Sequence, residues 1–433
     1  MTSTPALALT ACVILRCGGM VNAADGKDAA TDRADDGSPL NEYTDLLDPN
    51  NWQVFDLSSN VPVGFDLHAC FDGHYIYWEG EPFLPDGGRT QSTLIRYDTQ
   101  RRLDDPSAVS SWVVNQSDAQ SLGLPPDVAM TPLFCDSRNV YLTLQGSTST
   151  SRFMRYDITK PFGDVASLSL SAPIQGGVLP ALAPWPTGHV FSASFDGTFI
   201  YFCGTVRYDT RLAFKGKAAW AAFDPQLGAS SPGVVSLPYV GLAPNTAGGP
   251  AGTYDTRAPF ATAAAWKSFP LSTLTGQQYY IGSGTDGRYA YFVPRAQQPS
   301  NGLVAQYDTT SSIDAPSSWR TFQTKLVHPL AQSFDHPSWD GRYFYFTVGS
   351  TDIGGEGAVV VRHDTRGDFG EPASWAAFDI TSMLPPRLSG CRWSSAVFDG
   401  QFLYLTSFDA PLVVRFRARV FSRMPPGFSG TFY

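Results

Sequence analysis

Short runs of alternating aromatic residues recur along the chain, each directly after an Asp-Gly pair or a variant of it. The clearest copies are residues 71–77 (FDGHYIY) and 195–201 (FDGTFIY), with others beginning at Asp286, Asp340 and Asp399 and a degenerate one at Asp136. Alternation with a period of two predicts a strand that buries one face. Asp-Gly supplies the positive φ that a tight hairpin turn needs. Each copy therefore predicts a β-hairpin.

Two further motifs follow the hairpins in a fixed order. The first is RYDT or a variant of it, at residues 96–99, 155–157, 207–210, 254–256, 307–309 and 362–365, with a relic at 415–416. The second is a tryptophan, usually followed three residues later by an aromatic residue: Trp52, Trp220, Trp266, Trp319 and Trp375, with a looser copy at Trp112 and a degenerate one near Leu168.

The spacing of these motifs defines the repeating unit. Asp98 and Asp364 are 266 residues apart over five steps, and Trp52 and Trp375 are 323 residues apart over six, so both motifs recur about every 53–54 residues. Two motifs with one period indicate an internal repeat of seven units. One unit, around residues 239–266, lacks the FDG motif.

Each unit predicts four strands: one ending at FDG, the aromatic strand, the strand ending in RYDT, and the tryptophan strand. Seven four-stranded units of this length predict an all-β, seven-bladed β-propeller over residues 41–421. The chain starts its repeats with a lone fourth strand (residues 52–57) and ends them with strands one to three (residues 394–420). The N-terminal strand should therefore complete the last blade and close the ring.

The order of an aromatic strand, a YDxxT-like motif and a tryptophan resembles kelch repeats, although the Gly-Gly doublet of kelch is missing. The fuller pattern FDGRYxYFVP…RYDT…SW..FD looks more like a family of uncharacterised bacterial propeller repeats, matched best by residues 286–294 (DGRYAYFVP). The resemblance covers residues 50 to 420. It implies the propeller fold and no particular activity.

The segments outside the repeats carry a different pattern. Residues 6–15 (ALALTACVIL) are apolar and residues 21–24 are small enough for cleavage, so residues 1–24 are interpreted as a signal peptide. Residues 25–40 are polar and acidic and predict a disordered linker, and residues 422–433 form a C-terminal tail. We therefore expect a secreted or periplasmic protein. Cys70, Cys135, Cys203 and Cys391 match no metal-binding spacing, and because four cysteines allow three pairings, no disulfide is assigned.

Composition narrows the classes of function. Of the 433 residues, only 16% are charged, and 30 Lys and Arg against 39 Asp and Glu leave a net charge of −9. A nucleic-acid binder would normally show a basic face, so that class is not expected. No stretch approaches the roughly 20 apolar residues that span a bilayer. We expect a monomer whose partner is a glycan, a small molecule or another protein.

Residues that recur in every unit are interpreted as structural: the FDG and RYDT aspartates cap turns, and the aromatic residues pack between blades. Functional residues are expected where one unit departs from the others in its first strand. His68 and His336 lie three residues before the first residue of FDG, and His189, Tyr279 and Arg392 lie six residues before it, in five different units. If the first strands line the central channel, these five side chains could face one space. Asp66 and Asp335 lie in the same segments, and His328 lies in a loop that could border the mouth.

This set of residues is compatible with two kinds of chemistry and with a third, purely structural interpretation. His68, His189 and His336 could hold one divalent metal such as Zn²⁺ with an open position. Alternatively, His189, Tyr279 and Arg392 could act as an acid–base set, with the arginine neutralising a substrate carboxylate, as in a polysaccharide lyase or hydrolase. Each histidine could instead simply satisfy a hydrogen bond beside the channel, and His74 and His363 are interpreted as structural.

The sequence thus leaves two functions open. The first is an extracytoplasmic recognition module that binds a glycan or another surface ligand at the channel mouth, through Asp66, Asp335 and His328 among others. The second is an enzyme with a histidine site in the channel, either metal-dependent or metal-free. No GxSxG, HExxH, P-loop or dinucleotide motif occurs in the sequence.

Overall fold

The computed structural model describes most of the repeat region. The residues it describes are 42–61, 64–81, 93–113, 116–124, 129–145, 152–172, 193–202, 206–222, 233–236, 239–243, 251–276, 280–294, 302–334, 337–349, 358–386, 393–408 and 410–420. The predicted signal peptide, acidic linker and C-terminal tail lie outside these residues. Every structural statement below concerns the described residues.

The described chain is built from short strands. In chain order they are β1 (Glu42–Tyr43), β2 (Trp52–Asp56), β3 (Gly64–Phe71), β4 (Tyr75–Glu81), β5 (Thr93–Asp98), β6 (Val109–Val113), β7 (Ala129–Cys135), β8 (Asn139–Gln145), β9 (Phe153–Asp157), β10 (Leu168–Leu170), β11 (Ala193–Phe195), β12 (Phe199–Phe202), β13 (Val206–Asp209), β14 (Trp220–Ala222), β15 (Gly233–Ser236), β16 (Tyr239–Ala243), β17 (Ala251–Asp255), β18 (Trp266–Phe269), β19 (Tyr280–Thr285), β20 (Tyr289–Pro294), β21 (Leu303–Asp308), β22 (Trp319–Gln323), β23 (Ser338–Trp339), β24 (Tyr343–Thr347), β25 (Val359–Asp364), β26 (Trp375–Asp379), β27 (Trp393–Phe398), β28 (Phe402–Ser407), β29 (Leu412–Arg417) and β30 (Arg419–Val420).

These strands form antiparallel sheets that follow the sequence repeat. Sheets 1 to 6 are the consecutive quartets β3–β6, β7–β10, β11–β14, β15–β18, β19–β22 and β23–β26. Sheet 7 contains β27, β28 and β29, with β2 from the N-terminal part of the chain as its fourth strand. β1 and β30 form a separate two-stranded sheet. The described architecture is all-β, and its sheets are those of a β-propeller.

Helical turns are few and short. The α-helices are α1 (Gln116–Ser121) and α2 (Leu271–Thr275). Six 3₁₀ turns lie directly before a fourth strand: Pro49–Asn51, Val165–Ser167, Lys217–Ala219, Ala263–Ala265, Pro316–Ser318 and Pro372–Ser374. Two more, Thr324–Leu326 and Thr381–Met383, follow a fourth strand. β10 begins with Leu168, as the degenerate repeat near it predicts, and β6 begins with Val109, whereas the fourth strands of the other five sheets begin with tryptophan.

Neighbouring sheets contact one another through their first strands. β3 contacts β7, and the contacts continue in order through β11, β15, β19, β23 and β27, which in turn contacts β3. The cores lie between neighbouring sheets: Trp78 and Tyr97 of sheet 1 pack with Tyr404 of sheet 7, and Tyr77 of sheet 1 packs with Tyr156 of sheet 2. A single four-stranded sheet could not bury both of these faces.

The FDG motif forms the same hydrogen-bond network in six sheets. One carboxylate oxygen of the aspartate accepts from the backbone N–H groups two and three residues later, and the other accepts from a tyrosine hydroxyl five residues later. In sheet 6, Asp340 accepts from the Arg342 N–H at 2.9 Å, the Tyr343 N–H at 2.7 Å and the Tyr345 hydroxyl at 2.7 Å. The other five aspartates are Asp72, Asp136, Asp196, Asp286 and Asp399. The motif is therefore structural.

The other two motifs anchor the connection between the third and fourth strands. The RYDT tyrosine donates its hydroxyl to a backbone carbonyl four residues later, as Tyr307 does to Ser311 at 2.6 Å. The tryptophan donates its indole N–H to a carbonyl six residues earlier, as Trp319 does to Ile313 at 2.7 Å. Trp52 makes the same bond to Leu46 at 2.8 Å. The prediction that the repeated residues are structural is confirmed for these positions.

Candidate functional site

The two ends of each sheet differ in how much their connections vary. We call the end that carries the links between strands one and two and between strands three and four the turn end, and the opposite end the loop end. At the turn end, six of the seven hairpin connections are three residues long, and the links from strand three to strand four in sheets 1 to 6 are all ten residues long.

At the loop end, the connections share no common length. Those between strands two and three range from three residues (203–205) to eleven (82–92 and 348–358). Those between consecutive sheets range from seven residues (57–63) to twenty-two (171–192). Variable loops on a constant scaffold are where binding residues concentrate, so the loop end is the candidate functional face.

Several first strands are bulged against their second strands. The register shifts once within β7, β19 and β27 against their second strands, and the bridge from Phe334 to Val348 is similarly out of register with β23. The shift is larger in β3, where Phe65 pairs with Gly80 but Ala69 pairs with Trp78. Three residues of β3 thus lie opposite Glu79 alone. β-bulges often redirect side chains beside functional sites.

His68 lies in this wide bulge. Its side chain is buried, with 7% of the residue exposed, and Glu79 on β4 opposite is fully buried. Burying a charged carboxylate costs desolvation free energy, which is repaid only where opposite charges or hydrogen bonds compensate it. In sheet 7, the equivalent residues are Ser395 and Thr406, whose hydroxyls are hydrogen-bonded at 2.7 Å. Sheet 1 therefore places two titratable groups where another sheet has two hydroxyls.

Sequence reasoning missed Glu79. The signal was present: eight residues after the first residue of FDG, sheets 2, 5, 6 and 7 carry Thr143, Val293, Thr347 and Thr406. A glutamate at that position departs from the repeat as clearly as His68 does. It was overlooked because the search was confined to first strands, whereas Glu79 belongs to a second strand.

His328 lies on the connection from sheet 5 to sheet 6. The Thr324 hydroxyl ties this loop down, because it lies 2.8 Å from the Gly302 carbonyl and 2.5 Å from the Ala331 carbonyl and shares its single proton between them. The ring Nδ1 of His328 accepts from the Leu330 N–H at 3.3 Å, so in the neutral ring the proton lies on Nε2. Leu326, two residues away, is 67% exposed. This segment thus offers an oriented N–H donor beside an exposed apolar side chain.

The remaining predicted site residues cannot be placed. His189, Tyr279, Arg392, Asp335 and His336 lie outside the described residues, and for Asp66 only the backbone, in β3, is described. Convergence of these side chains on one channel site stays a prediction. Within the described ranges, no group of three His, Cys, Asp or Glu side chains is arranged to hold a metal.

The cysteines require a correction. Cys70 and Cys135 form a disulfide, with their Cα atoms 5.5 Å apart, although the sequence analysis assigned none. The bond joins β3 to β7, the first strands of neighbouring sheets. Spacing alone could not reveal this pair, because the two residues are 65 positions apart and meet only when adjacent repeats pack side by side.

The structural interpretation of His74 is confirmed. Its Nε2 lies 2.9 Å from Oδ1 of Asp98, so the ring links the FDG turn to the RYDT strand of the same sheet. Similar links join Arg288 to Asp308 and Arg342 to Asp364 in sheets 5 and 6. These contacts all lie at the turn end and belong to the repeat.

Comparison with known proteins extends these observations only as far as the fold. No protein-family model matches the chain, and no curated protein matches it by sequence. It is similar in structure to a catalytically inactive variant of virginiamycin B lyase from Staphylococcus aureus, solved with quinupristin: TM-score 0.52, 10% identity, covering 84% of this chain and 98% of that one.

A second similar structure is the extracellular domain of a hybrid two-component system from B. thetaiotaomicron. The TM-score is 0.52 at 9% identity, and the match covers 85% of this chain and 41% of that one. Among the described residues, no helix is long and apolar enough to cross a membrane. At such low identities the likeness shows shared architecture alone. The chain has an all-β β-propeller fold.

Proposed function

We propose that this protein is an extracytoplasmic recognition module that binds a glycan or another surface ligand at the loop end of its propeller. The observation that carries the proposal is the contrast between the two ends. The connections of constant length lie at the turn end, where the polar groups of the repeated motifs are hydrogen-bonded to one another and to the backbone. The loop end carries the connections whose length and sequence the fold does not dictate, and binding surfaces are built from such loops.

Two described features support ligand binding at this end. The loop at His328 presents an Nε2–H donor and an exposed leucine on a backbone tied down at Thr324, a combination suited to the hydroxyl and C–H faces of a sugar. The buried pair of His68 and Glu79 marks the first strand of sheet 1 as a second departure from the repeat. Asp66 and Asp335 remain proposed ligand contacts.

The extracytoplasmic location is supported by the disulfide. Disulfides persist in oxidising compartments and are rare where thiols are kept reduced. Cys70 and Cys135 are both buried between neighbouring sheets. The apolar segment at residues 6–15 supports the same location, since it has the character of a signal peptide.

A binding screen tests the function. Purified protein would be applied to a glycan array, and each bound glycan would be measured again with His328→Ala and with Arg211→Ala, which lies at the turn end. We expect the His328 variant to bind at least about tenfold more weakly and the Arg211 variant to bind as wild type. Equal losses in both variants would contradict binding at the loop end, and no binding to any glycan would overturn the choice of a glycan as the ligand.

An enzyme is the second proposal, and His68 with Glu79 favours it, because buried titratable pairs are common in catalytic sites. In one form, His68, His189 and His336 hold a single Zn²⁺; in the other, His189, Tyr279 and Arg392 act as acid–base groups on an acidic glycan. Elemental analysis separates the two forms. About one equivalent of zinc that is lost in His68→Ala supports the metal form, and zinc-free protein that degrades an acidic polysaccharide supports the other.

We further propose that the seven sheets are the blades of one ring, closed by β2. The proposal is supported by the register of β2 with β29, from Trp52 opposite Phe416 to Asp56 opposite Leu412, and by the contacts of β27 with β3. The proposed kinship with kelch-like or uncharacterised bacterial repeats rests on motif order alone.

A further inference from the structure

His363 occupies a position that tyrosine holds in five other sheets and Phe416 holds in sheet 7. It is the second residue of the RYDT motif in sheet 6, where other sheets have Tyr97, Tyr156, Tyr208, Tyr254 and Tyr307. Each of those tyrosines donates its hydroxyl to the carbonyl four residues later, at 2.5–3.3 Å. An imidazole is shorter and has no hydroxyl. Sheet 6 has therefore lost this bond and gained a titratable ring.

The ring is enclosed by aromatic side chains at the junction of sheets 5 and 6. It stacks on Trp375 at 4.5 Å between centroids, meets Phe369 edge-on at 5.3 Å and lies 6.0 Å from Tyr291 of sheet 5. Only 1% of His363 is exposed. A charged imidazolium here would exchange full hydration for these rings, and the attraction of a cation to aromatic faces recovers only part of that cost.

The charges around the ring do not offset burial. Asp364 follows it in the chain but is held by Arg342, with Nη2 2.6 Å from Oδ2. Asp368 is paired with Arg320 of sheet 5, whose charge opposes protonation of His363. Tyr291 donates to Asp286 at 2.7 Å. Burial is the largest influence and lowers the pKa of His363 to about 4.

The same core supports the loop that carries His328. Val327, Leu330, Ala331 and Phe334 pack into one hydrophobic cluster with Trp375 and the other rings around His363. This loop is the connection from sheet 5 to sheet 6. Loosening the junction would therefore release the segment that holds His328 in place.

We propose that His363 makes the junction of sheets 5 and 6 an acid-sensitive element, whose opening on protonation loosens the His328 loop. The sign follows from linkage: a histidine that is harder to protonate in the folded state stabilises the fold fully above its unfolded pKa of about 6.5 and progressively less as the pH falls toward about 4. Over pH 7 to 5, where carboxylates with ordinary or lowered pKa stay ionised, the unfolding equilibrium constant should rise by about 20-fold from this ring alone.

Denaturant unfolding at pH 7 and pH 5 tests the titration. His363→Tyr restores the repeat residue, and His363→Phe keeps an aromatic ring that cannot ionise. We expect the unfolding equilibrium constant of both variants to change about 20-fold less than that of the wild type between the two pH values, while His74→Gln, at a half-buried histidine in sheet 1, keeps the wild-type change. An unaltered pH dependence in both His363 variants would overturn the proposal.

Hydrogen exchange of the wild-type protein tests where the junction opens, independently of any variant. Between pH 7 and 5, after correction for intrinsic rates, protection should fall first in β20–β26 and in residues 324–334, with sheets 1 and 2 unchanged. Uniform loss over all sheets would overturn it. The consequence for ligand binding rests on the proposed function, but neither experiment uses a ligand, so failure of the junction and failure of the glycan screen are distinguishable.

Discussion

The two ends of the sheets obey different rules, although the same strands run between them. At the turn end, six aspartates make the same three hydrogen bonds and six links between strands three and four have the same length. Toward the loop end, a wide bulge in β3 places His68 opposite Glu79. The connections at the loop end have no common length and range from three to twenty-two residues. The repeat therefore encodes the scaffold at one end and leaves the other free to vary.

This contrast shows why the repeated motifs were poor guides to function. The most conspicuous residues of the sequence, the FDG aspartates and the RYDT and tryptophan positions, satisfy one another locally. The Asp340 carboxyl illustrates how fully the fold encloses them: burial raises its pKa, although three donors that hydrogen-bond to it act in the opposite direction. Residues used this fully are not available to a ligand.

The largest effect is expected from the disulfide, which lies toward the turn end between sheets 1 and 2. Replacing both Cys70 and Cys135 by serine removes a crosslink over 65 residues, which should lower the free energy of unfolding by about 4 kcal/mol. Urea denaturation of oxidised wild type and of the double variant would measure it. A change under about 1 kcal/mol would mean that the neighbouring sheets need no crosslink.

Removing one turn-end aspartate should have the next largest effect. Asp340→Ala leaves two backbone N–H groups and the buried Tyr345 hydroxyl without their acceptor, and should cost about 3 kcal/mol. Asp314→Ala, at an exposed aspartate in sheet 5, serves as the control and should change stability by less than about 0.5 kcal/mol. Equal effects at the two positions would contradict the structural role of FDG.

A milder version isolates one bond of the network. Tyr345→Phe removes only the hydroxyl that donates to Asp340 and leaves the ring in place, so we expect a loss of about 1.5 kcal/mol. Thermal denaturation of the two proteins at pH 7 would show it. If the variant were as stable as wild type, the hydroxyl would be dispensable and the network would consist of backbone bonds alone.

The smallest effect on stability is expected at the loop end. The exposed Leu326 contributes little packing, so Leu326→Ser should change the free energy of unfolding by less than about 0.5 kcal/mol. The same variant should weaken binding to any glycan found on the array by at least about threefold. A large loss of stability would show that this leucine serves the fold rather than a ligand.

The strands and hairpins of the scaffold could be predicted from the sequence, because the motifs that form them are local. Alternation after Asp-Gly predicted the hairpins, and the lone Trp52 strand predicted the partner that sheet 7 receives. Even Leu168 could be identified from spacing, and β15 and β16 form a hairpin without FDG. The disulfide could not be predicted in the same way, because it depends on which strands of different repeats lie side by side. Glu79 could have been found, because it departs from the repeat at a second-strand position. His189, Tyr279, Arg392, Asp335 and His336 remain predictions.

The contrast between the two ends is tested most directly by a matched pair of insertions in sheet 5. Gly-Ser inserted after Asp314 breaks the six-residue spacing that lets Trp319 donate to the Ile313 carbonyl, whereas Gly-Ser inserted after Gln298 lengthens a loop-end connection. Lengthening a surface connection costs only tenths of a kcal/mol, so we expect the second insertion to leave the urea midpoint nearly unchanged. The first should lower stability by about 2 kcal/mol. Equal losses, or a larger loss at the loop end, would contradict the assignment of scaffold and function to opposite ends.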